Sequence, residues 1–234
     1  MTNATYETRR GELKTYFDRT AKDNWVALTS NTPVSRIRQT VRQGREEMRR
    51  TLVDWLPLDL SGARILDAGC GTGMLAIEAA NRGAEVVAVD ISPTLIEEAK
   101  NRTRNLPVRD QITFEAGDMA DPAFGYFDFV VAMDSLIHYP IKSVIPVIEG
   151  LSSRARQRVA FTFAPKTPAL AAMKSIGRFF PKSDRSPSIE PISEANLRSA
   201  IEASMITNFG FQIARTKRVS TGFYKSQAME IVNI

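Results

Sequence analysis

The stretch Arg64-Ile65-Leu66-Asp67-Ala68-Gly69-Cys70-Gly71-Thr72-Gly73 constrains the fold of this chain more than any other. An apolar run stops at an acid, passes three glycines at alternate positions, and gives way to Met74-Leu75-Ala76-Ile77-Glu78-Ala79-Ala80, which has helical spacing. The pattern predicts a strand, a tight turn and a helix. Glycine tolerates positive φ and lets backbone approach a ligand closely, so Gly69, Gly71 and Gly73 form a surface on which a flat or polar group can rest. Asp90 closes a second apolar run, Val86-Val87-Ala88-Val89. A carboxylate at the end of the second strand is where nucleotide-type sites hold a ribose diol. The spacing is not the G-x-G-x-x-G that serves a pyrophosphate. Glycine turns also occur without any ligand, but here strand, acid, glycines, helix, strand and acid follow in order.

Further elements come in the same alternating order. Ser92-Pro93 is a helix start, with Leu95, Ile96 and Ala99 on one face. Ile112–Ala116 reads as a third strand ending at Gly117-Asp118-Met119, which taken alone is a turn. Phe127–Met133 is a nearly continuous apolar run, as expected of a strand buried on both faces of a parallel sheet. The segment after it, Asp134-Ser135-Leu136-Ile137-His138-Tyr139-Pro140, contains the only histidine of the chain. Ligands of open α/β sheets bind beyond the carboxyl ends of the strands, which puts this segment at the site. A helix over 141–152, a fifth strand from Arg158 to Ala164, a helix from about Ser193, and a hairpin of Phe211–Ser220 with Phe223–Val232 complete the chain.

Asp67-Ala68-Gly69-Cys70-Gly71-Thr72-Gly73 resembles the first motif of class I S-adenosylmethionine-dependent methyltransferases. The resemblance implies an α/β fold with a Rossmann-like, mostly parallel seven-stranded sheet and a C-terminal reversed hairpin. It also implies that Asp67 helps hold the methionine ammonium, that the glycines pass under the cofactor, that Asp118 takes the adenine amino group, and that the Met119 backbone serves the ring. The expected cofactor residues are Asp67, Gly69, Cys70, Gly71, Asp90, Ile91, Asp118, Met119 and Met133.

A chain of 234 residues is expected to form one domain with embellishments. Residues 1–57 read as an N-terminal helical extension that could act as a lid, and 58–234 as the cofactor-binding domain. The segment 165–191 is an insert that the basic fold does not require. The extension carries Arg36, Arg38, Arg42, Arg45, Arg49 and Arg50 on one helix; such a run is usually a solvated face, and the alternative is contact with an anionic substrate or acidic partner. The insert interleaves Lys166, Lys174, Arg178, Lys182 and Arg185 with Met173, Ile176, Phe179 and Phe180, which suits a large, flat, apolar substrate with acidic groups. Lysine and arginine exceed aspartate and glutamate by 31 to 26, a surplus compatible with an anionic partner or an ordinary surface. One cysteine excludes an intramolecular disulfide, and with one histidine no Cys/His zinc site of usual composition can be built. Without an apolar run long enough to span a bilayer or a signal-peptide pattern, a cytoplasmic location is expected, with at most attachment to a membrane surface.

A narrower resemblance covers nearly the whole chain. Tyr16-Phe17-Asp18-Arg19-Thr20-Ala21 with Trp25, Pro33-Val34-Ser35-Arg36-Ile37-Arg38, and Gly44-Arg45 look like the N-terminal region of magnesium protoporphyrin IX methyltransferases. Asp134–Tyr139, Phe180–Pro187 and Tyr224 with Ser226-Gln227 match the same family. The resemblance implies esterification of one propionate of magnesium protoporphyrin IX in bacteriochlorophyll biosynthesis, with S-adenosylhomocysteine as the other product. Magnesium would belong to the substrate, so no protein metal site is expected, and the porphyrin-binding subunit of magnesium chelatase would be a partner. Other readings are a methyltransferase acting on RNA or another small molecule, and a non-catalytic porphyrin carrier. The chain lacks Asn-Pro-Pro-Tyr after the fourth strand and any separate nucleic-acid module, so no nucleic-acid partner is expected.

A propionic acid titrates near the glutamate reference of about 4.3 and is ionised at neutral pH before any base acts. The chemistry therefore asks for placement and exclusion of water, not for a general base. His138 and Tyr16 are expected as positioning groups, through hydrogen bonds to the propionate or with His138 near the magnesium face. Phe17, Arg36, Ser135, Lys182, Arg185 and Tyr224 are the expected substrate contacts.

Overall fold

The computed structural model describes residues 4–19, 35–167 and 188–234. Two helices come first, α1 (Ala4–Arg19) and α2 (Arg36–Asp54). An alternating series follows: β1 (Arg64–Ala68), α3 (Met74–Asn81), β2 (Glu85–Asp90), α4 (Pro93–Thr103), β3 (Ile112–Ala116), β4 (Phe127–Ala132), α5 (Ile141–Ser152) and β5 (Ala155–Phe163). The chain ends in α6 (Glu194–Glu202), β6 (Phe211–Thr221) and β7 (Tyr224–Asn233).

The seven strands form one sheet in the order β3-β2-β1-β4-β5-β7-β6. Six point the same way, β1–β5 pairing in parallel, and β7 runs antiparallel between β5 and β6, the expected reversed hairpin. Side chains alternate across the sheet, so two cores form. Ile65, Val86, Ala88, Phe129 and Val131 meet Met48 and Leu52 of α2 and Leu75, Ala76 and Ala79 of α3. Leu66, Val87, Val89, Val130 and Ala132 meet Val144, Val147 and Ile148 of α5 and Leu197 and Ile201 of α6. Every residue of β4 except Asp128 is buried, and each of its phenylalanines and valines contributes about 1.5–3 kcal/mol of burial.

Local chemistry sets the helix ends. Ser35 caps α2, and Ser92 caps α4 by accepting from the Leu95 N–H at 3.2 Å, with Pro93 in the first turn. Helix α2 packs on the hairpin because Gly44 lacks a side chain: a Cβ there would lie 2.5 Å from Cδ1 of Tyr224. Strand order reverses between β1 and β4, whose carboxyl ends diverge into the glycine turn and the 133–140 segment. That divergence opens a cleft where α/β sheets hold ligands.

Candidate active site

The floor of the cleft is the glycine turn. Gly69 has φ +85°, its N–H donates to the Val89 carbonyl at 2.8 Å, and a Cβ on it would stand 2.3 Å from Cβ of Ser135. Turn and post-β4 segment are in contact there, and no larger residue fits. The Gly71 N–H donates to Asp90 Oδ2 at 2.8 Å and the Ser92 N–H to Oδ1 at 2.9 Å. A carboxylate has about four acceptor sites, so Asp90 keeps capacity for a diol. Asp67 accepts from the Ala76 N–H at 3.1 Å, at the start of α3. Burial pushes Asp67 up to about 7 and Asp90 up to about 6. Cys70, Ile91, Met119 and Met133 line the same cavity. The Cys70 thiol is pushed well up by burial and by its two acidic neighbours, which keeps it protonated and inert.

One wall is α1. Tyr6, Arg10, Leu13 and Phe17 recur at helical spacing and all face the cavity. The Tyr6 hydroxyl donates to Asp118 Oδ1 at 2.7 Å, Arg10 pairs with Oδ2, and the Ala120 N–H reaches Oδ1 at 2.9 Å. The Ser92 hydroxyl donates to Asp18 at 2.5 Å. Helix α1 is thereby fastened to both the Asp118 and the Asp90 ends of the cleft, and Asp118, the expected adenine acceptor, is shared with it. Tyr16 is half-buried, edge-on to Phe17 at 5.3 Å, and is not among the cavity-lining residues.

The opposite wall is α2. Arg42, Arg45 and Arg49 line the cavity, whereas Arg36 is exposed and does not. Nine residues separate Arg36 from Arg45, about half a turn around the helix at 3.6 residues per turn, so the two point to opposite sides. Arg49 pairs with Glu78 and with Glu46, and Arg45 Nη1 lies 2.6 Å from Asp134 Oδ2. Asp134 is the one non-glycine among the described residues with positive φ, +54°. Its N–H donates to Thr162 Oγ1 at 2.7 Å; its carboxylate accepts from the Tyr224 hydroxyl at 2.9 Å and the Ser226 hydroxyl at 3.2 Å. This knot fixes the exit of β4 and with it Met133, Ser135 and His138, all of which line the cavity. Tyr224, expected to contact substrate, is instead a buried donor within the knot, because its ring is spent on Gly44 and its hydroxyl on Asp134.

Nδ1 of His138 is 3.3 Å from the Ser188 carbonyl oxygen. A carbonyl only accepts, so Nδ1 carries the proton and Nε2 keeps its lone pair. Burial, reinforced by the charge of Arg9, pushes His138 down to about 4, so the ring is neutral at physiological pH. A neutral ring with that tautomer cannot donate from Nε2 to an ionised propionate, which corrects one of the two roles expected for it. Lys182 and Arg185 lie outside the described residues. Sequence reasoning missed Tyr6 and Arg10 as site residues, and placed the Asp134 segment at the site without seeing that Asp134 anchors it. The helical spacing Tyr6, Arg10, Leu13, Phe17 was the available signal for the first two.

The chain is similar to known proteins over its full length. A family model described as magnesium-protoporphyrin IX methyltransferase C-terminus matches residues 132–233, and one described as methyltransferase domain matches 65–157. The magnesium-protoporphyrin O-methyltransferase of Rhodobacter capsulatus is 46% identical over 228 residues, covering 96% of this chain and 97% of the relative. That of Synechocystis sp. strain PCC 6803 is 35% identical over 235 residues, with 99% of each chain covered. The crystal structure of magnesium protoporphyrin IX methyltransferase from Synechocystis PCC 6803 with bound SAH superposes with a TM-score of 0.84 at 34% identity, covering 96% of this chain and 100% of that one.

Proposed function

The chain belongs to the magnesium protoporphyrin IX methyltransferase family, and from that membership we propose how its own residues carry out the reaction. It is an S-adenosylmethionine-dependent O-methyltransferase that esterifies a propionate of magnesium protoporphyrin IX. The carrying observation is a single cleft whose floor is the Asp67, Gly69 and Asp90 cradle and whose rim holds a neutral histidine and an arginine wall.

S-adenosylmethionine supplies an electrophilic methyl group and leaves as S-adenosylhomocysteine. The residues present fit it: Asp90, which keeps acceptor capacity beside its two backbone donors, would take the ribose diol, and Asp67 on the same cavity would take the ammonium. Asp118, which shares its carboxylate with Tyr6 and Arg10, would take the adenine end. Because Asp67 and Asp90 are raised carboxylates, they hold protons in the ligand-free chain below about pH 7 and about pH 6 respectively, and a cationic ligand favours their ionised forms. Cofactor affinity is therefore expected to be full above pH 7.5 and to weaken as pH falls toward 5.5, with protons released on binding between pH 6 and 7. Calorimetry in buffers of different ionisation heat measures this release; a heat independent of buffer contradicts the assignment.

The propionate arrives ionised, so its oxygen attacks without a base. Ser135 and Phe17 border the space where it must lie in line with the methyl group, and the apolar lining excludes the water that would solvate it. Arg42, on the cavity face of α2, is assigned to the second propionate in place of Arg36, and Lys182 and Arg185 to guiding the ring in. Nε2 of His138, a lone-pair donor, is assigned to the axial position of the substrate's magnesium. Two results are expected. Turnover with both substrates saturating stays flat from pH 6 to 8, because no group near 6.5 is used. His138→Gln lowers the preference for the magnesium porphyrin over the metal-free ring by roughly tenfold, as the loss of one ligating contact worth about 1.4 kcal/mol would. A rate that climbs through pH 6.5 in the parent and not in the variant contradicts this assignment.

Three further features belong to the same reading. Residues 1–57 act as a lid, supported by the α1 contacts to Asp118 and Ser92. The porphyrin-binding subunit of magnesium chelatase hands over the substrate, whose apolar ring is poorly suited to free diffusion. Peripheral contact with the photosynthetic membrane is supported by the exposed trio Arg36, Ile37 and Arg38 beside exposed Phe223; no helix among the described residues is long and apolar enough to cross a membrane.

A further inference from the structure

Arg9 neighbours the cavity residue Arg10 but does not line the cavity itself. Its Nε donates to the His138 carbonyl at 3.1 Å, and its Nη2 donates to the Ser188 carbonyl at 2.8 Å and to Ser188 Oγ at 2.6 Å. Glu12, one turn along α1, holds Nη1 at 2.7 Å. The Ser188 carbonyl that Arg9 grips is the same oxygen that accepts from the His138 ring. The strand of chain behind it is also tied down, since the Glu190 N–H donates to the Ile137 carbonyl at 2.9 Å. Three segments far apart in sequence therefore meet at one guanidinium: α1, the turn after β4, and the segment that returns toward α6.

The planar fork of arginine presents donors at fixed separations, which suits two carbonyls at once. With the His138 carbonyl and its ring partner held by one rigid group, backbone and ring cannot turn relative to each other. We infer that Arg9 is a positioning residue, which fixes the Nδ1–H tautomer of His138 through Ser188 so that Nε2 faces the cavity only while α1 is docked. The histidine is thus assembled by the closing of the N-terminal helix. The catalytic meaning of this rests on the reaction assigned above; the tautomer itself does not.

A chain with one histidine gives one pair of ring nitrogen signals. The test is nitrogen NMR of the full-length chain labelled at the histidine ring, at pH 7 without substrate, alongside steady-state turnover of magnesium protoporphyrin. The parent chain is expected to show a protonated Nδ1 and an unprotonated Nε2. R9Q is expected to show mixed tautomers and about a tenfold lower kcat, the cost of one lost orienting interaction, with the cofactor dissociation constant unchanged. R9K, which can serve one carbonyl but not two, is expected to fall between them. S188A keeps the carbonyl and is expected to keep the parent spectrum. A parent spectrum retained in R9Q overturns the inference, whether turnover falls or not. Altered tautomers with no turnover in any chain, the parent included, would leave this inference standing and overturn the assigned reaction instead.

Discussion

Asp134→Asn is expected to remove most activity and to lower the midpoint of thermal unfolding by roughly 6–20 °C. Asparagine keeps the size of the side chain and tolerates the positive φ of +54°, so the change isolates the charge. Four side chains converge on this carboxylate: Arg45, Tyr224, Ser226 and Thr162. Its side chain is 2% exposed and that of Arg45 18%, so solvent replaces little of what is lost. Breaking a buried pair from one side costs about 3–5 kcal/mol, and each kcal/mol moves the midpoint by about 2–4 °C in a domain of this size. Activity falls further than stability, because Met133, Ser135 and His138 hang from the same turn. Calorimetric unfolding with turnover measured well below the midpoint separates the two effects. A variant with parent-like unfolding and turnover would show that the knot does not hold the site.

Gly69→Ala is the second large effect, expected on cofactor binding with the fold largely retained. The added Cβ would meet Cβ of Ser135 at 2.3 Å, and φ of +85° is strained for any L side chain. Relief requires the glycine turn and the post-β4 segment to part, which displaces the methyl donor from the acceptor. Affinity for S-adenosylhomocysteine is expected to fall on the order of a hundredfold, equivalent to about 2.7 kcal/mol. Gly73→Ala is the comparison: its φ of +78° carries the same backbone strain, but its Cβ would meet the edge of the Phe114 ring at 2.9 Å, a side chain that can yield, so the difference between the two variants isolates the contact with Ser135. Equal loss at the two positions, measured by calorimetric titration, would contradict a specific contact between turn and segment.

The architecture was legible wherever burial imposes periodicity. The β4 run and the 141–152 helix were readable because parallel strands and amphipathic helices write their environment into neighbouring residues. Strand β5 begins three residues earlier than the apolar pattern suggests. Arg156 and Gln157 are exposed, and Ala155 joins the sheet by pairing with Phe127, a backbone contact that leaves no hydrophobic trace. The meeting of Asp67, Gly69 and Asp90 in one cavity was equally readable, since they lie within one βαβ unit. The acceptor half was not. Asp134 draws on Arg45 and Tyr224, 89 and 90 residues away, and local spacing carries no record of such a meeting. Arg36 was the expected substrate contact on the basic helix, but packing turned Arg42, Arg45 and Arg49 to the cleft and left Arg36 in solvent. Tyr224, expected at the substrate, is held in the buried knot by Gly44 and Asp134, partners that no local spacing reveals.

The central claim is that one methyl group passes from S-adenosylmethionine to a propionate oxygen of magnesium protoporphyrin IX within this cleft. Its most direct test is a single turnover with methyl-labelled cofactor and excess protein, followed by mass analysis of the porphyrin. The account predicts one labelled methyl per ring, carried as an ester that mild alkali removes, with S-adenosylhomocysteine formed in equal amount. Folded, cofactor-bound protein that leaves the porphyrin unlabelled, or labels it at an alkali-stable position, would contradict it.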